Sequence, residues 1–88
     1  MTPEEFRATV KVLSRIDAEP CWEHLAAWLQ MEFATQEDAL LAGTMPEPAM
    51  RYACGQMNAI RSVLELPTTA RQMMANWQEE EGNAKGRV

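Results

Sequence analysis

The chain has 88 residues, with 13 Asp and Glu against 8 Lys and Arg, for a formal net charge of −5. That length allows one domain with a thin core. The charge disfavours non-specific binding to nucleic acid or anionic membrane. No alternating Val/Ile/Thr run marks a strand and Gly totals 4, so an all-α class is expected. No 18-residue apolar run is present, and the start lacks the charged-then-apolar pattern of a leader, so a cytoplasmic location is expected.

The first segment opens on Thr2-Pro3-Glu4-Glu5. Thr caps the free N–H groups, Pro fits the first turn, and Glu5 completes a capping box. A helix over about 3–15 follows, with Phe6, Val10 and Leu13 on one face. Arg7, Lys11 and Arg15 recur every four residues along another. That stripe reads as solvated, or as a contact with an acidic partner.

Asp17, Glu19 and Pro20 suit a first turn, and Gly43 suits the left-handed residue after a helix end. A second helix is therefore expected over about 20–42. Its apolar stripe is Trp22, Leu25, Leu29, Phe33 and Leu40, with Trp28 and Met31 off the centre. From 16 to 50 there is no Lys or Arg, while Glu23, Glu32, Glu37 and Asp38 give the second helix an acidic outer face. A basic first helix crossed on an acidic second one would be favourable, setting orientation more than stability.

Pro46 and Pro48 mark the next helix start, and Pro67 disfavours helical geometry at Leu66, so a third helix is expected over about 48–66. Met50, Ala53, Met57, Ile60 and Leu64 fall at steps of 3 and 4 on one face. Gly55 in mid-helix reads as tolerated entropy or as the close approach of another helix. A link of four or five residues makes the second and third helices antiparallel neighbours. The expected architecture is thus an antiparallel helical hairpin, about 20–42 and 48–66, with an N-terminal helix.

Pro67-Thr68-Thr69 restarts the chain in a short C-terminal helix over about 68–80, carrying Met73, Met74 and Trp77. Three Glu residues at 79–81 oppose the helix dipole. One domain over 1–81 and a disordered tail over 82–88 follow.

The residues offer no reaction. Cys21 and Cys54 read as free, buried thiols. His24 is the sole histidine, and Cys21-x-x-His24 is too little for a metal site. A helix face also supplies no pocket or oxyanion donors for a nucleophile. No metal, cofactor or enzymatic role is expected. The seven Met and three Trp carry more information. Met adapts to irregular surfaces and Trp is favoured at interface hot spots. The candidate partner interface is Trp22, Trp28, Met31, Met73 and Trp77.

One pattern over about 20–67 joins several of these features. A Trp stands early in a long helix (Trp22), followed by the turn Pro46-Glu47-Pro48. Gly55-Gln56 lies inside the next helix, and Leu64-Glu65-Leu66 closes on Pro67. This resembles small helical-hairpin proteins encoded in the head–tail assembly gene clusters of tailed bacteriophages and prophages. The first helix and the Met-rich last segment lie outside the shared pattern. The resemblance implies a structural or assembly accessory rather than an enzyme, found in the host cytoplasm or the virion.

The function expected from the sequence is therefore a small acidic protein–protein interaction module. It would self-associate, with a homo-oligomer expected, or dock on a larger assembly, without direct nucleic-acid or membrane binding. The alternative is an acidic phage-encoded inhibitor, an anti-defence protein. There Glu23, Glu32, Glu37 and Asp38 would cover a basic nucleic-acid-binding surface of a host protein.

Overall fold

The computed structural model describes residues 1–86. The capping box forms: the Glu5 N–H donates to Thr2 Oγ1 at 3.1 Å, and the Thr2 N–H donates to Glu5 Oε2 at 3.3 Å. Helix α1 runs over Pro3–Leu13 rather than to Arg15. Its last carbonyls turn instead into a 3-10 turn, Ile16–Ala18, closed by the Ala18 and Glu19 N–H groups donating to Arg15 and Ile16. Helix α2 spans Pro20–Leu41. Gly43 then takes φ +72°, the left-handed conformation that only Gly adopts cheaply, and its N–H donates to the Leu40 carbonyl. Among the described residues there is no strand, so the class is all-α. No helix among them is long and apolar enough to cross a membrane.

The main correction concerns Pro67. The two helices expected over 48–66 and 68–80 are one element, α3, over Glu47–Gly86. Proline inside a helix removes a hydrogen bond and crowds the carbonyl four residues back, at about 3 kcal/mol. Pro67 is nevertheless buried, as is Ala70 one turn on. Burial of this stretch outweighs the local preference that suggested a stop. The tail expected from Gly82 is helical as far as Gly86, and its residues 87–88 lie outside the described residues.

The chain divides into two compact units. Unit 1 holds Met1–Glu19 and the chain from Leu66 onward; unit 2 is Pro20–Glu65. In unit 1 Val10, Ser14, Pro67 and Ala70 are buried. Arg71 ties the unit together. Its Nη1 donates to the Ser14 carbonyl at 2.9 Å and to the Asp17 carboxylate at 3.0 and 3.1 Å. Ser14 Oγ in turn donates to the Lys11 carbonyl, so this buried hydroxyl is satisfied where α1 ends.

In unit 2 the half-buried residues of α2 include a row at Trp22, Ala26, Leu29, Phe33, Gln36 and Leu40, at steps of 4 and 3, with Glu32 and Ala39 beside it. This corrects the expected stripe: Leu25 is exposed, and Gln36 fills the slot that an apolar-only reading leaves blank. Gln36 Nε2 donates to Gln56 Oε1 at 2.8 Å. On α3, Ala53 is buried at 2 % exposure, while Met57, Ile60 and Leu64 are half-buried and Met50 is exposed.

Of the two readings of Gly55, the structure fits tolerated entropy. A Cβ built there meets nothing within 4 Å, so no helix approaches it. The two glycines therefore give opposite predictions. Gly55→Ala should stabilise the chain by about 0.5–1 kcal/mol, because Ala has less backbone entropy to lose. Gly43→Ala should destabilise it by about 1 kcal/mol, the cost of forcing an L-residue left-handed. Urea unfolding of the two variants checks the signs.

Candidate interaction surfaces

Unit 1 uses one of the expected interface residues, Trp77, internally. Trp77 is half-buried, with its ring edge-to-face against Phe6 at a centroid distance of 6.3 Å and an interplanar angle of 68°. The Arg7 guanidinium lies over the same indole at 5.0 Å. Arg7 Nη1 also pairs with Glu81 Oε1 at 3.5 Å, both side chains being largely solvated. So Arg7 spends its charge on α3, and Glu81 has a partner within the unit. Lys11 and Trp77 line a small groove beside them. Met73 is half-buried, and Arg15 is exposed.

Unit 2 leaves several large apolar residues of α2 open. Trp28 is 54 % exposed and Met31 59 %, with Leu25 also exposed. Trp22 is half-buried near the start of the α2 seam. Leu25, Trp28 and Met31 stand three residues apart, so they cover one side of α2. Trp28 also walls a groove of about 280 Å³, with Leu29, Glu32 and Gln36 from α2 and Gln56, Ala59 and Ile60 from α3. Gln56 Nε2 donates to the Tyr52 hydroxyl at 3.1 Å, extending the Gln36–Gln56 link along the α3 rim. Tyr52, Gln56, Ala59 and Val63 follow at steps of 4, 3 and 4, and Tyr52, Ala59 and Val63 are exposed. The groove thus has apolar walls at one end and amides at the other. On the opposite flank Arg61 lies over the Phe33 ring at 5.6 Å. Gln30, Phe33, Arg61 and Leu64 line a groove there.

The acidic residues divide between these flanks by spacing. Glu32 lies four residues from Trp28, and Asp38 seven from Met31, on the indole side. Glu23, Gln30 and Glu37 repeat every seven residues on the Arg61 side. Glu23, Glu37 and Asp38 are exposed and Glu32 is half-buried. Among the described residues, none of the four takes part in an ion pair. Cys21 and Cys54 are free, but exposed rather than buried. Among the described residues, no group of three or more His, Cys, Asp or Glu is placed to hold a metal ion.

Compared with protein-family models, curated proteins and solved structures, the chain gives no match.

The hub at Arg71 gives an ordered prediction. Arg71→Ala removes the bond to the Ser14 carbonyl and the Asp17 pair together, and should cost about 1–2 kcal/mol. Asp17→Ala leaves the carbonyl bond in place and should cost about 0.5–1 kcal/mol, as for a half-exposed pair. Denaturant midpoints of the two variants read the order.

Proposed function

We propose that this chain is a non-catalytic protein–protein interaction module, an assembly accessory of the phage or prophage type. It docks on a larger protein assembly or on a second copy of itself, in the host cytoplasm or the virion. The observation that carries the reading is the half-exposed Trp28 between exposed Leu25 and Met31 in a unit whose own seam does not enclose them. A Trp held on a regular helix is a low-entropy anchor of the kind that dominates protein interfaces. The resemblance of Trp22, Pro46-Glu47-Pro48, Gly55-Gln56 and Leu64-Glu65-Leu66-Pro67 to head–tail assembly proteins supports the cellular setting.

In this reading α2 and the first part of α3 form an antiparallel hairpin. Phe33 with Arg61 and Gln36 with Gln56 support it, since the numbers run in opposite senses along the two helices. The short link over 42–46 supports it as well. A polar Gln pair in an apolar seam also fixes register, because slipping by one turn would leave both amides facing hydrocarbon.

The four unpaired acids on α2 favour a second reading, an acidic inhibitor that covers a basic surface of a host protein. The two readings differ in what holds the complex together. An inhibitor of that kind loses its grip when Glu23, Glu32, Glu37 and Asp38 are neutralised together, whereas the accessory depends first on Trp28.

Light scattering on the purified chain, with co-purification of the products of genes flanking its own, tests the proposal. The expected result is a mass above that of one chain or a defined complex. Trp28→Ala, with helical circular dichroism unchanged, should weaken either by roughly 30-fold, the loss of one hot spot of about 2 kcal/mol. A strict monomer at every concentration that binds none of those products would overturn it.

A further inference from the structure

We infer that the exposed side of α2 takes a cationic amphipathic helix of another protein, with Trp28 as the apolar anchor and Glu32 and Asp38 pairing to its Lys or Arg residues. The inference rests on the interaction-module reading and adds the chemistry of the partner.

Charge decides between the possible occupants. Unit 2 carries Glu23, Glu32, Glu37, Asp38, Glu47 and Glu65 against Arg51 and Arg61 only. Arg51 is paired with Glu47 at 2.7 Å, and Arg61 lies over Phe33 on the far flank. Helix α2 therefore has four acids, no base, and no cation from its own unit on the indole side. A second copy seated face to face here, α2 on α2, would bring two Glu32 and two Asp38 into one interface with no cation on α2 to offset them, which is unfavourable. Nucleic acid and anionic lipid are repelled for the same reason. A helix with an apolar stripe bordered by Lys or Arg meets both features at once. Its stripe covers Leu25, Trp28 and Met31 and enters the groove floored by Leu29 and Ile60. Its cations reach Glu32 and Asp38, one turn or more to the C-terminal side of the indole. The spacing of Glu23 and Glu37 puts them on the other flank, where this helix does not lie.

The probe is a Leu/Lys peptide of about 18 residues, five turns, patterned with period 3.6. Its controls are the Leu/Glu counterpart and a Leu/Lys peptide of the same composition in scrambled order. Calorimetric titration at low salt reads the affinity, and the blue shift of Trp emission reads indole burial. The patterned Leu/Lys peptide is expected to bind at least about tenfold more tightly than either control, that is by about 1.4 kcal/mol or more. Trp28→Ala should weaken it by about tenfold or more, and so should Glu32→Gln combined with Asp38→Asn. Glu23→Gln combined with Glu37→Gln should change it by less than about threefold, since those charges act only at a distance. Absence of binding, equal binding of the scrambled peptide, or equal effects of the two acid pairs would each overturn the inference. If the peptide fails while light scattering shows Trp28-dependent self-assembly, the cationic partner is wrong and the module reading stands. If both fail, both are wrong.

Discussion

A proline inside a helix is the constraint on which the structure depends. Pro67 has no N–H to give the Val63 carbonyl, and its ring crowds that carbonyl. Locally the chain should break there. It does not, because Pro67 and Ala70 bury one side of that turn and Arg71, next in the chain, reaches the Ser14 carbonyl and Asp17. Val63 itself lies on an exposed flank, where water can take the place of the missing donor. Continuity of α3 lets one element complete two units. Up to Glu65 it supplies the partner of α2, and from Leu66 onward the partner of α1.

The two units use that helix differently. Unit 1 closes around small and polar groups: Val10, the satisfied Ser14, and the Phe6–Trp77–Arg7 stack. Its aromatic and its nearest cation are consumed internally. Unit 2 has a seam of half-buried residues with Ala53 as its one buried apolar side chain. It leaves an indole, a thioether and four acids outside. Apolar surface beside unbalanced charge suits a partner of opposite sign, and this connects a thin core with the proposed docking role.

Much of this was legible from local chemistry. The Thr2–Glu5 box, Gly43 after α2 and the proline-marked start of α3 depend on residues within one turn of each other, and each formed. Features set by distant contacts were not legible. Pro67 looked like a stop because the burial that overrides it comes from tertiary packing. Gly55 read equally as tolerated entropy or as a helix contact, and only the fold shows its side of α3 to be open. Cys21 and Cys54 looked like core thiols by residue type and are exposed. Gln36 was missed because a purely apolar search skips a polar residue, although the step of three from Phe33 and four to Leu40 marks its place. Of the interface candidates, Trp28 stands off its stripe and is exposed, although the sequence left open which Trp would be. Trp77 gave no signal of its packing, since Phe6 lies 71 residues away in sequence and only the fold brings them together.

Residue-resolved NMR of the backbone across 62–72 tests the continuity of α3 most directly. The structure requires helical Cα and carbonyl shifts on both sides of Pro67, with amide protection resuming within one turn after it. Coil-like shifts at Val63–Thr69 with unprotected amides would mean two helices with a break between them, and the account of one element completing both units would be wrong.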